Sequence, residues 1–147
     1  MIGKRRSYFS ASPYYRASIE TDGWAIVSAE ERHAANPESF EIPSKASREA
    51  LLPGVSVRLL FDIETRENGR VVDRGIDRMW VIVKRRGPHG YEGVLDNNPG
   101  RSENLKLGEG DTVHFGPEHV AGIEYPPRDY VVAKYGSSFF DEPSRGV

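Results

Sequence analysis

The sequence predicts an α+β fold that is mostly β: a small, strongly bent antiparallel sheet or partial barrel with one or two short helices. Three observations carry this. Met79–Val83 is an uninterrupted apolar run of strand-forming residues, the pattern of a strand covered on both faces. Val55, Val57, Leu59 and Phe61 alternate with mostly polar neighbours, as in a half-buried strand. Ten prolines and fifteen glycines in 147 residues call for short elements and many turns.

In chain order, residues 1–21 show no clear period and read as an N-terminal arm, mixing Lys4, Arg5 and Arg6 with Tyr8, Phe9, Tyr14 and Tyr15. Residues 22–135 read as one globular domain. Trp24–Val27 is the first strand. Ser28 with Glu31 has capping-box spacing, and the helix it opens, Ala29 to Ala35, stops at Asn36-Pro37. Phe40–Ile42, between Pro37 and Pro43, should be extended and poorly paired. Ser44 caps a second short helix running to Leu52, ended by Pro53-Gly54.

The alternating strand from Val55 follows, with Leu60 hinting at cover on its polar face. Asn68-Gly69 is a hairpin turn, since both residues tolerate positive φ. Val71-Val72 begins the return leg and Asp73–Gly75 is expected to interrupt it before the central run. Met79 and Trp80 should be largely buried on opposite faces. Arg85–Gly90 closes the run, and Tyr91, Gly93 and Leu95 alternate with Glu92, Val94 and Asp96 on the return.

Asp96–Gly100 is a loop. Leu105–Phe115 then echoes Leu51–Phe61, an anchoring leucine, a glycine turn and an alternating strand, because the same sharp bend into a sheet edge demands the same residues. Tyr130–Lys134 reads as a last strand after Pro126-Pro127, and 136–147 as a C-terminal tail with an unexpectedly apolar Phe139-Phe140.

A net charge of −2 lacks the basic excess of a dedicated nucleic-acid binder. The absence of cysteine excludes disulfides and thiolate metal sites. No apolar run reaches the roughly 18–20 residues of a membrane helix, and Ser7–Pro13 is no signal-peptide core. The expected place is the cytoplasm.

The candidate chemistry is sparse. There is no nucleophile elbow, phosphate loop or dinucleotide fingerprint. His114 and His119 are five apart with Asp111 and Glu118 nearby, but nothing in that spacing forces the three or four converging ligands a zinc site needs. No metal or other cofactor is expected. Asp96 with Asn97 and Asn98 offers a carboxylate beside amides, able to orient a ligand or, as Asx turns, to satisfy its own backbone. Lys84-Arg85-Arg86 is an anion contact or an edge gatekeeper.

The chain resembles a bacterial family of unknown function, the YegJ-like group. The likeness rests on Arg78–Val81, Gly93–Asn97 with Pro99, and Leu107-Gly108 to Asp111–Phe115 with Pro117–Val120. Upstream it extends through Trp24–Val27, Asn36-Pro37, Phe40, Pro43 and Leu51–Phe61, about residues 22–124 in all. Glu109-Gly110 makes the turn before Asp111 longer than the usual form. The resemblance implies a small α+β domain with a bent sheet, and no known activity, substrate, cofactor or catalytic residue.

The expected function is a non-enzymatic binding or interaction module for a protein partner or a small polar ligand, with Arg78, Asp96, Asn97, Asn98 and His119 as the contact residues. A homodimer with exchanged aromatic arms is a further expectation; neither nucleic acid nor membrane is an expected partner. The rival readings are a small hydrolase-like or metal-assisted enzyme using Asp96, His114 or His119, and a nucleic-acid module using the N-terminal arm and Lys84-Arg85-Arg86.

Overall fold

A computed structural model describes residues 15–99 and 105–141. Tyr8, Phe9 and Tyr14, with the basic start of the arm, lie outside the described residues. The first described element is one helical turn, α1 (Ile19–Asp22), capped by the Ser18 side chain and ended by Gly23 in the left-handed region. Four residues are too few to show a period, so the sequence alone places this turn in the arm.

Strand β1 (Trp24–Val27) leads into α2 (Ala29–Ala35), where Ser28 Oγ accepts from the Glu31 amide at 3.1 Å. Ser44 caps α3 (Lys45–Glu49) in the same way; this helix ends three residues short of Leu52. Strands β2 (Ser56–Glu67) and β3 (Arg70–Gly87) form one long hairpin, turned by Asn68 (φ 54°) and Gly69 (φ 75°). The interruption expected at Asp73–Gly75 is absent. β3 runs unbroken because β2 pairs along its whole length, up to Glu67 opposite Arg70.

β4 (Gly90–Leu95) and β5 (Thr112–Phe115) complete an antiparallel sheet of order β1-β2-β3-β4-β5. Strand β6 (Gly122–Glu124) then pairs with Ser56–Arg58 of β2, along the same edge that β1 occupies at Leu60–Ile63. Residues 116–121 therefore carry the chain from one end of the sheet to the other, which requires the sheet to curl into a half-barrel. Register shifts at Thr65/Arg66 and Val83/Arg85 supply bends.

The inner face holds the main core: Val57, Leu59 and Phe61 of β2, Met79, Val81 and Val83 of β3, Tyr91 and Leu95 of β4, and Val113 and Phe115 of β5. The central apolar run is covered along its inner face, and on its outer face at Ile82. Ile82, facing outward, packs with Val94, Val131 and Phe139.

One expectation fails at the C-terminal end. Tyr130–Lys134 lies inside a helix, α4 (Arg128–Tyr135). Pro126-Pro127 removes two strand donors and presets the backbone for a helix start, and the useful spacing is i,i+4: Val131 with Tyr135 toward the sheet, Tyr130 with Lys134 toward Asp96. Phe139, in a 3₁₀ turn at Ser137–Phe140, is buried on the chain's own sheet, and Phe140 packs beside it. Phe140 also lies against Gly54, whose φ of +92° and lack of a side chain make room for the ring. The aromatic pair in the tail thus has its cover without a second copy.

Met79 and Trp80 do face opposite ways, but only Met79 is buried. Trp80 is half-exposed on the outer face, under the Arg58 guanidinium at 5.0 Å. No helix among the described residues is long and apolar enough to cross a membrane.

Candidate functional site

Asp96 ends β4 on the outer face, directly beneath α4. Its Oδ1 accepts from Tyr135 Oη at 2.6 Å and Lys134 Nζ at 2.8 Å, and its Oδ2 accepts from Tyr130 Oη at 2.8 Å. Lys134 also reaches Glu109 Oε2 at 2.7 Å. Burial pushes the Asp96 carboxyl up, but the bonds from Lys134, Tyr135 and Tyr130 outweigh it and hold the group below the usual carboxylate range. The bonds to Asp96 and Glu109 hold the Lys134 ammonium above its ordinary range. A general base for neutral pH needs a pKa near 7 and an accessible lone pair. Asp96 has neither, and it acts as a clasp for α4.

The clasp makes a pH prediction. The folded carboxyl is depressed, so its stabilisation is fully present above the unfolded value of about 3.9. It is lost as pH falls from there through the folded value. Asp96→Asn should loosen α4 at pH 7, at a cost of about 2–3 kcal/mol, the scale of hydrogen bonds to a charged group. Hydrogen exchange should show faster exchange in residues 131–136 while β2 and β3 keep their protection. Unchanged α4 protection would remove the clasp.

The neighbouring amides serve the backbone. Asn97 Oδ1 accepts the Trp80 N–H, and Trp80 O accepts from the Asp96 N–H at 2.8 Å, so β3 is capped where β4 leaves it. Asn98 is exposed.

The histidines go elsewhere. His114 stands opposite Glu92 on the outer face, Nε2 at 3.8 Å from Oε1. Its bond and the nearby Arg85 hold Glu92 low against burial. Glu92 and Asp96 are four residues apart on one strand, about 13 Å, with Val94 between them. His119 sits in the 3₁₀ turn Pro117–His119, its Nδ1 accepting the Gly116 N–H at 2.9 Å. Burial lowers its pKa, and Arg16 adds to this while Glu118 opposes it; the neutral ring carries its proton on Nε2. Asp96, His114 and His119 thus have separate partners among the described residues. Among the described residues no group of three metal-ligating side chains converges.

Lys84, Arg85 and Arg86 do not form one patch either. Lys84 lies over the Phe139 ring, Arg85 faces Glu92 at 3.5 Å, and Arg86 lies over Tyr91. An open cleft of about 340 Å³ beside Arg86 carries both signs of charge, with Arg16, Glu49, His89 and Glu118 in its lining.

Arg78 is different. With Arg58, Ser39, Phe40, Glu41 and Ala121 it lines a shallow cleft of about 180 Å³ on the outer face. The polar phase of β2 puts Arg58 outward, and the β2–β3 register sets it opposite Trp80, with Leu60 opposite Arg78. Leu60 is fully buried, so the cover that its break in the alternation implied is present. The Arg78 guanidinium stands 5.9 Å from the Phe40 ring. Among the described residues neither guanidinium has an ion-pair or hydrogen-bond partner, and Glu41 in the lining is not within ion-pair distance of either. Two guanidiniums, each against an aromatic ring, are suited to planar anions such as carboxylates.

Of the residues expected to meet a ligand, the structure thus presents Arg78 in an open cleft, while Asp96 and Asn97 are engaged within the fold and His119 is mostly buried. Sequence reading missed Arg58, Phe40 and Ser39. The alternation of β2 placed Arg58 outward, but only strand register puts it beside Trp80 and Arg78.

No family model, curated protein or solved structure matches this chain.

Proposed function

We propose that the chain is a non-enzymatic binding module whose partner presents carboxylates to Arg58 and Arg78. The observation that carries this reading is the pairing of two guanidiniums over aromatic rings in one cleft, with no carboxylate of the described chain bound to either. Arginine and aromatic residues are the side chains enriched where proteins bind proteins. A cleft of about 180 Å³ is below the roughly 300–1,000 Å³ of small-molecule sites, which favours a protein segment over a small polar ligand. Kinship with the YegJ-like family and a bacterial, cytoplasmic setting belong to the same proposal and rest on the sequence motifs.

The test follows the Trp80 indole N–H by NMR while a seven-residue peptide alternating threonine and glutamate is added. The signal should shift with this peptide, stay put with its threonine–lysine counterpart, and stay put with either in an Arg58→Ala, Arg78→Ala double variant. Equal shifts with both peptides, or a shift that survives in the double variant, would remove the carboxylate reading.

A further inference from the structure

Among the described residues the hairpin arm of β2 and β3 has an open side beyond β4. β3 pairs with β4 only from Val81 onward, whereas it pairs with β2 down to Arg70. Backbone groups alternate sides along a strand. The Val83 N–H bonds Val55 O, toward β2, and Trp80 O accepts from Asp96, toward β4. By that alternation Arg78, Ile76 and Arg74 turn their N–H and C=O groups to the free edge. All residues from Arg70 to Arg78 are exposed, with Val71 at 51% and Val72 at 53%.

We infer that this edge takes an extended acidic segment of another protein as an added strand, with its carboxylates on the face of Arg58 and Arg78. The inference rests on the carboxylate reading above and adds the backbone mode. An open strand edge is a ready template for pairing, and its charges select the occupant. Arg74 and Arg78 project on the outer face, the face of Trp80, while Asp73 and Asp77 project on the inner one.

A second copy of the chain does not fit. Two equal edges join antiparallel about an axis normal to the sheet, so each face meets its own kind. Centring the pair on Arg74 sets Arg74 beside Arg74. Centring on Gly75 sets Asp73 opposite Asp77, and centring on Ile76 sets Arg74 opposite Arg78. Asp62 offsets part of the Arg74 charge through two bonds at 3.0 and 3.1 Å, but among the described residues Arg78 has no such partner. Like charges directly opposite destabilise a pair of strands. A strand with carboxylates facing outward and neutral side chains facing inward meets attraction on the outer face and no clash on the inner one.

The geometry supplies a test that side-chain contact alone cannot pass. In a strand added antiparallel to β3, as its other neighbours are, residues whose side chains face outward also turn their N–H toward β3, because the two residues of a hydrogen-bonded antiparallel pair share a face. N-methylation of the glutamates in the threonine–glutamate peptide therefore blocks the edge bonds, while methylation of the threonines leaves them. By calorimetry with the full chain, the glutamate-methylated peptide should bind about tenfold more weakly or worse, from the loss of two or more backbone bonds. The threonine-methylated peptide should stay within about twofold of the parent. Ile76→Pro removes an edge-facing donor while leaving the β2 bonds, and should weaken the parent peptide by a similar factor.

Equal effects of the two methylation patterns would overturn strand addition, and the carboxylate reading would survive if Arg78→Ala still abolished binding. Failure of the parent peptide to bind at all would sink both. A dimer in light scattering that dissociates on Ile76→Pro would put a second copy on the edge and overturn the assignment. Far tighter peptide binding by a chain limited to residues 15–141 than by the full chain would overturn it too, since a terminal segment would then be the occupant.

Discussion

Arg48→Ala is expected to cost the fold about 3–5 kcal/mol, about 1–3 kcal/mol for each of two carbonyls left without a donor, together with the lost packing of a buried side chain. Arg48 lies in α3, yet its side chain is only 6% exposed. Its Nε donates to Pro43 O at 2.9 Å, and its Nη1 donates to Glu30 Oε2 at 2.6 Å and to Pro117 O at 3.0 Å. One guanidinium thus joins the loop before α3, helix α2 and the turn after β5. Truncation leaves two carbonyls without a donor and opens a cavity where three segments meet. Glu30 is 42% exposed, so Glu30→Gln should cost clearly less: water can replace part of what it gives. Urea denaturation of both variants checks this through the midpoints at unchanged slope. Equal losses would show that the ion pair, rather than the carbonyl contacts, carries the effect.

Tyr91→Ala should cost a similar amount, about 3–5 kcal/mol for the ring alone. The side chain is 1% exposed and stacked on Phe115 with centroids 5.3 Å apart. Its hydroxyl donates to Arg48 O at 3.0 Å and accepts from the Leu51 N–H at 3.3 Å. This bridge fixes the end of α3 to β4. Tyr91→Phe keeps the ring and strands both backbone groups, at about 1–3 kcal/mol for each group left unsatisfied. The phenylalanine variant therefore separates the bridge from the packing. Because Arg48 supplies both the guanidinium and one of the bridged carbonyls, Arg48→Ala and Tyr91→Phe should be non-additive by more than about 0.5 kcal/mol. Simple additivity in the double-mutant cycle would mean that the two contacts hold α3 independently. A Tyr91→Phe variant as stable as the parent would mean that the bridged groups find other partners.

Much of the fold was legible because its signals are local. A serine three residues before a glutamate can cap a helix wherever it occurs, and Ser28 does so with the boundaries its spacing implies. Asn68-Gly69 turns a hairpin because few other residue pairs accept positive φ twice in succession. The alternation of β2 placed Val57, Leu59 and Phe61 on one buried face. The helix at Arg128–Tyr135 was misread for a local reason too. Tyr-Val-Val is rich in strand formers, and the i,i+4 pairing of Tyr130 with Lys134 has meaning only once Asp96 is beneath it.

The site was legible only in fragments. Arg78 stands out from the sequence, but Asp96 stands out equally and proves to be held by α4. Composition cannot distinguish a carboxylate clasped by two tyrosines and a lysine from one facing solvent. Nor can it distinguish Arg48, walled in by carbonyls, from Arg58, open over an indole.

By itself the sequence determined the bent antiparallel sheet, its turns, its helix caps and the inward phase of its strands, because these follow from backbone sterics and hydrophobic period within a few residues. Only the tertiary structure decided which charges are spent on the fold and which stay uncommitted among the described residues. That depends on strand register and on elements far apart in sequence, Phe40 beside Arg78 and α4 above Asp96, since burial and ion pairing are set by neighbours across the sheet and along no single stretch of chain.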